Sequence, residues 1–363
     1  MQIAVIVFLA ASTCRVCAEE RPITLIDNSV GISQVVGLNS HGQIVGKKEI
    51  QAEPLGLRQI PYFHSDNVEV RLEVLDKYTN IEPEALSDSG HVVGYVSRPI
   101  GHPDGSQQAF VWDSTTHRTT GLGMLPGDRG SHALDINSDG SIIVGYSTGA
   151  NPARMVPCVW EKIDHGWGCA LLQTIHQYNP TLLASRVVVS DDGRQIAACI
   201  TVGIVEGEIP LFHNALYVWQ RLDEGNWERR HVRDGSYRLA GINNHGMLAG
   251  SCVVKAHRRA FVFDPADGFQ LLELLEGDES GQALALNNEG TVVGYSDDPY
   301  GPVGGPQAFA WSRGEMSAIQ FPVPTLYSSA QAINDRGQIG GFLETKPEAE
   351  YESGSLVSFI LTP

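Results

Sequence analysis

Carboxylates gather in a few connecting segments of this 363-residue chain. Asp104, Asp128, Asp278, Glu279, Asp297 and Asp298, with Tyr300 beside the last pair, lie in Val96 to Gln107, Pro126 to His132, Glu276 to Gln282 and Ser296 to Pro306. Carboxylates that converge can bind Ca²⁺ through oxygen ligands. They can also act as an acid and base pair on a glycosidic bond. A solvated acidic rim is the plainer alternative, because spacing along a chain does not establish convergence.

Other chemistry has little support. The twelve histidines are scattered, with no HExxH, no GxSxG elbow and no phosphate-cradling loop. The segment Ser190-Asp191-Asp192-Gly193 approaches the Asp box of sialidases, but Arg194 and Gln195 follow where Thr and Trp would be needed. Of six cysteines, Cys14 and Cys17 lie near the N-terminus, which leaves Cys158, Cys169, Cys199 and Cys252. Counting inward to the Asp164-His165-Gly166 turn places Cys158 roughly opposite Cys169, so a disulfide is expected there in an oxidising compartment. Cys199 and Cys252 each follow a turn glycine by six residues, and are expected as separate buried thiols in neighbouring units. No cofactor is expected beyond Ca²⁺.

The elements that must position these residues are repeated hairpins. Ala133 to Ser147 reads as an apolar strand, a polar turn closed by glycine, and a second apolar strand. The pattern recurs seven times: Asn39/Gly42, Ser87/Gly90, Asn137/Gly140, Ser190/Gly193, Asn243/Gly246, Asn287/Gly290 and Asn334/Gly337. Asn or Ser at the opening can bond its own backbone, and glycine takes the positive φ that such a turn needs. A second glycine follows at Gly46, Gly94, Gly145, Gly250, Gly294 and Gly341, with Ala197 in the fourth copy. Glycine inside a strand marks a bulge or a close approach of backbone. The third strand of each unit is aromatic, with Trp112, Trp160, Trp219 and Trp311 at one repeat position, which predicts a buried layer between sheets.

The turn glycines are spaced by 48, 50, 53, 53, 44 and 47 residues, with four strand candidates per unit. That period predicts an all-β, seven-bladed β-propeller of four-stranded blades. The final unit ends at its third strand, Val357 to Leu361, so Ile23 to Ile26 is expected to supply its fourth and close the ring. The tight turns then occupy one face, and the long connections, including Glu344 to Ser355, the other. Binding residues favour long loops on a rigid scaffold.

Residues 1–18 read as a signal peptide, with an apolar core from Ile3 to Ala11 and a small-residue site ending at Ala18; residues 19–363 form the propeller domain. The core is too short to span a bilayer, and no other segment reads as an integral membrane span. The net charge of −17 disfavours nucleic acid and anionic membranes as partners.

Leu122 to Tyr146, LGMLPGDRGSHALDINSDGSIIVGY, together with Gln-Ala-Phe-Val-Trp at the aromatic strand, resembles the bacterial HAF family of extracellular repeat proteins. The naming His-Ala-Phe appears here as Gln108-Ala109-Phe110, Gln307-Ala308-Phe309 and Arg259-Ala260-Phe261. The resemblance implies export and a propeller-like fold, and no defined activity. The expectation is a secreted or periplasmic monomer that binds a glycan or protein partner on its long-loop face. The alternatives are a polysaccharide hydrolase or lyase using the acidic loops, and a purely structural surface protein.

Overall fold

In the computed structural model, residues 5–6, 23–26, 33–52, 56–66, 68–99, 107–149, 154–172, 182–206, 209–223, 225–298, 305–346 and 356–363 are described. Every regular element among them is a strand. Four sheets have four antiparallel strands each and begin at Ser33–Leu38, Asn80–Leu86, Tyr237–Ile242 and Ser280–Leu286. A further sheet joins Thr325–Ile333, Ile339–Thr345 and Leu356–Leu361 to Ile23–Ile26. The pairing of Ile23 with Leu361 and Ile26 with Ser358 brings the start of the chain to its end. Val5–Ile6, within the expected leader, adds a two-residue pair outside Ile23–Ile26. Cleavage after Ala18 would remove that pair and leave the other four strands in place.

The remaining sheet has eight strands, from Gly130–Ile136 to Trp227–Asp234. A single parallel pair, Met155 with Leu183, links its two antiparallel halves. Successive sheets pack against one another and the last packs on the first, so the architecture is a closed β-propeller ring.

The hairpin turns form as the residue types require. All seven turn glycines have positive φ, from 67° at Gly193 to 80° at Gly90 and Gly246. The turn opened by Asn39 closes with its N–H donating to the Gln43 carbonyl, whereas Asn137 and Ser190 donate to Ile142 and Gln195. The third and fourth turns are therefore one residue longer, which accounts for the displaced Gly145.

The second glycine has a specific steric cause. In six repeats a β-bulge interrupts the first strand, as between Ala133 and Asp135 or between Pro83 and Ala85. The residue just before the bulge faces the glycine, and the carbonyl oxygen preceding it occupies the space a Cβ would need: Glu82 for Gly94, His132 for Gly145, Gln282 for Gly294. In the fourth repeat the equally long turn makes Ala198, not Ala197, the counterpart of Gly145; the irregularity there lies between Ala184 and Val187, so Ala198 faces Val187 beyond it and tolerates a methyl group.

Between sheets lie the aromatic side chains of the third strands. Trp112, Trp160, Trp219, Phe110, Phe261, Phe309 and Phe359 are fully buried. Phe63 of the first repeat meets Trp112 of the second with ring centroids 5.2 Å apart. Each such side chain contributes roughly 2–3 kcal/mol through burial, which makes these layers the main cohesion between repeats.

Candidate functional site

The long-loop ends of the third and sixth repeats are built alike. The Asp128 N–H donates to Leu125 O and the Asp278 N–H to Leu275 O, both at 3.1 Å. Gly127 and Gly277 precede these aspartates with φ of 84° and 91°. Ser147 Oγ accepts from the Leu125 N–H at 3.1 Å, and Ser296 Oγ from the Leu275 N–H at 3.3 Å. Two short turns thus hold two aspartates at the same place on the rim.

Their electrostatic surroundings differ. Asp128, with a side chain 5% exposed, accepts from Arg154 Nη1 at 2.7 Å. By the strand register, Gly305 takes the place of Arg154 in the sixth repeat, and Asp297 and Asp298 take those of Thr148 and Gly149. Neither Asp278 nor Asp297 has a cationic partner among the described residues. Asp278 Oδ2, like Asp128 Oδ2, is buried without a hydrogen-bond partner. Burial, followed by the charges of Asp278 and Asp298, raises the Asp297 pKa above the usual carboxylate value. Close by, Tyr295 is affected by Arg258, Asp297 and Arg238, but burial dominates and raises its pKa. Asp278 and Asp297 thus lie together on the rim without a cation beside either of them among the described residues.

The sequence-predicted residues thus divide. Asp278, Asp297 and Asp298 come together, Asp128 is neutralised in another repeat, and Asp104 and Tyr300 lie outside the described residues. Cys158 and Cys169 are free thiols. The register places Cys158 opposite Leu171 and Cys169 opposite Trp160, a diagonal relation instead of the direct one expected for a bridge. Burial, reinforced by Cys169, raises the Cys158 thiol pKa well above its ordinary value.

A second acidic group, not anticipated from sequence, lies on the axis at the tight-turn face. Asp88, Asp135, Asp191 and Asp335 line a cavity of about 130 Å³ with Leu38, Leu86 and other turn residues. Its wall is a chain of hydrogen bonds between turns. The Ser40 N–H donates to Asp88 (2.6 Å), the Asn244 N–H to Asn288 (2.8 Å) and the Asn288 N–H to Asp335 (2.8 Å). Behind it the buried Asn amides of four repeats each donate to the next turn's carbonyl, ending with Asn334 to Asn39 at 2.7 Å. Asp191 is exposed at the mouth, yet its carboxylate turns inward to accept from Asn288 Nδ2 at 2.7 Å. Desolvation there, then the charges of Asp335, Asp135 and Asp88, pushes its pKa up to about 7. Burial raises that of Asp135 to about 6, although the Val189 and Ile136 N–H groups donate to it. Among the described residues no group of three or more His, Cys, Asp or Glu side chains is arranged to hold a metal ion. The sequence carried a signal for this ring: the residue after each turn opener is polar in all seven copies, from Ser40 to Asp335.

His132 is a second feature that sequence reading missed. It is buried and stacked between Tyr95 (4.1 Å) and Tyr146 (4.7 Å), and its Nε2 lies 2.6 Å from Gln107 Oε1. Burial lowers its pKa to about 4, so it is a neutral ring packed between the second and third repeats.

No family model matches the sequence, and no curated protein matches it either. Among solved structures, the β-propeller domain of the Trilobed protease from Pyrococcus furiosus is similar in fold. It has a TM-score of 0.56 at 12% identity, over 92% of this chain and 94% of that one. A prolyl endopeptidase matches with TM-score 0.58 and 12% identity, over 92% of this chain and 50% of its own. A puromycin-hydrolysing peptidase of Mycobacterium tuberculosis matches with TM-score 0.54 and 13% identity, over 91% of this chain and 51% of its own. The chain therefore has a β-propeller fold and spans about half the length of those two peptidases. The Pyrococcus propeller has an open velcro topology, whereas here Ile23–Ile26 pairs with Leu356–Leu361 across the closure. Among the described residues no helix is long and apolar enough to cross a membrane.

Proposed function

We propose that this chain is an exported β-propeller interaction module that receives a basic segment of a protein partner at Asp278, Asp297 and Asp298. The eight-stranded sheet is read as two four-stranded blades joined at Met155 and Leu183, which gives seven blades. Export rests on the apolar leader and on the HAF-like repeats.

One observation carries the binding reading. Asp278 has no cationic partner among the described residues and lies beside Asp297, whose raised pKa reflects its surroundings, whereas the equivalent Asp128 has Arg154. An arriving guanidinium or ammonium group would supply in the sixth repeat what Arg154 supplies in the third. Charge-assisted bonds of this kind are among the stronger polar contacts. The net charge of −17 would also steer a basic partner towards the molecule.

The alternative, an enzyme on extracellular polysaccharide, draws on the same raised Asp297, which could serve as a general acid beside Asp278. The test is to incubate the full chain with an arginine-rich peptide and with a polysaccharide panel, with and without Ca²⁺, beside an Asp278→Asn/Asp297→Asn variant. Peptide retention that the variant loses supports the module. Shortened polysaccharide products that vanish in the variant support the enzyme. Ca²⁺-dependent retention would make the ion the first occupant of the rim.

A further inference from the structure

We propose that the outer edge of the fourth repeat is a strand-addition site for an acidic, extended segment of a protein partner, separate from the rim carboxylates. The outermost strand there, Trp227–Asp234, has eight residues. Its counterparts Val68–Arg71, Arg118–Gly121, Gly268–Leu271 and Glu315–Ala318 have four, and Gly166–Leu171 has six. Trp227–Asp234 pairs only with Ile209–Arg221, so among the described residues its other backbone edge is open. Alternate N–H and C=O groups along Trp227–His231, ahead of the bulge at Val232, offer an incoming strand about three hydrogen bonds.

The side chains select the partner's charge. Arg229, Arg230, His231 and Arg233 lie within this strand with Glu228 and Asp234, so three arginines outweigh two carboxylates by one charge, and Arg221, opposite Trp227, meets Glu161 at 3.2 Å, in a chain of net charge −17. Charged residues on an edge normally discourage pairing. Here three of the guanidinium groups lie over aromatic rings: Arg221 over Trp227 (5.6 Å), Arg229 over Tyr217 (5.4 Å) and Arg233 over Phe269 (4.7 Å). They are held against the faces of the sheet and do not drape across its edge. Arg230 and His231 are exposed beside them. A second copy of this chain, paired antiparallel over all eight residues, would set Glu228 against Arg233 and Arg230 against His231. A strand with Glu or Asp at alternate positions would set opposite charges across the ladder, which stabilises the pairing. The excess of arginine therefore favours an acidic strand over a basic one.

The probe is a blocked octapeptide of alternating Glu and Val, tested by fluorescence anisotropy on the full chain, with backbone amide exchange read over residues 227–234. Controls are the Lys–Val peptide and two Glu–Val peptides N-methylated at alternate amides in either phase. We expect the Glu–Val peptide to bind and to protect 227–234, and the Lys–Val peptide not to protect it. One N-methylated phase should lose binding and the other retain it, because only one set of amides faces the edge. Arg230→Glu, an exposed substitution whose fold circular dichroism verifies, should weaken binding about fivefold. Equal binding of both N-methylated phases would reduce the interaction to charge alone and overturn strand addition. Protection elsewhere, or no binding of the Glu–Val peptide at millimolar concentration, would overturn the site. Asp278→Asn should leave this binding unchanged, which separates its outcome from that of the rim.

Discussion

Asp128 and Asp278 occupy the same place in two repeats, on turns with the same backbone and serine hydrogen bonds. One meets an arginine at 2.7 Å, and the other meets further carboxylates. A fold made of repeats allows this comparison within one molecule, because the scaffold is held constant while the charge changes. The third repeat shows the aspartate with its cation in place. The sixth keeps the same aspartate where Gly305 supplies no cation, and the proposed partner would stand in for it.

The largest effect is expected at the satisfied position. Arg154→Ala leaves the Asp128 carboxylate buried and unpaired and should cost about 2 kcal/mol in urea unfolding. A variant as stable as the parent would remove the basis of the comparison. Asp278→Asn should have the opposite sign, leaving stability unchanged or raising it by less than about 1 kcal/mol, since it relieves repulsion and breaks no ion pair. A loss comparable to that of Arg154→Ala would mean that Asp278 already has a structural partner. Asp298→Arg should place a cation beside Asp297 and reduce retention of an arginine-rich peptide, measured by anisotropy. The smallest effect concerns titration. The Asp297 pKa is raised in the fold, so its contribution to stability is fully present below the unfolded carboxylate value and is lost as pH rises through the folded one. In Asp278→Asn or Asp298→Arg its carbon-13 carboxyl titration should move down towards the ordinary range, and an unmoved midpoint would leave burial as the sole cause.

Local rules made most of the fold legible. Each Asn or Ser with its glycine three residues on became a turn with positive φ, because no other side chain pays so small a steric cost there. The second glycine was readable as a close approach, but its partner was not. The carbonyl before the bulge crowds it only in the folded register, and the exception of the fourth repeat, where Ala198 holds the glycine's place, needed the longer turn and the displaced bulge to be seen. The tryptophans at one repeat position read correctly as a buried layer. The functional residues were less legible, because convergence is a property of the closed ring. Asp278, Asp297 and Asp298 are neighbours in space, whereas Asp128 resembled them in sequence and lacked only the knowledge of Arg154. Asp88, Asp191 and Asp335 passed as ordinary turn residues until the turns met at the axis, and His132 lacked any pattern that foretold its two tyrosines.

The bond from Asn334 to Asn39 joins residues 295 positions apart, and links between neighbouring turns, such as Asn39 to Ser87, span 48. Loop-closure entropy grows only with the logarithm of length, so the long link costs about 1.6 kcal/mol more than the short one. The larger consequence is in time. Neighbouring repeats can assemble as soon as each is available, but the seam cannot form until the strand Leu356–Leu361 meets Ile23–Ile26. A chain delivered from its N-terminus therefore carries an uncovered apolar face on its first repeat throughout delivery, and the final strand ends that exposure in one step.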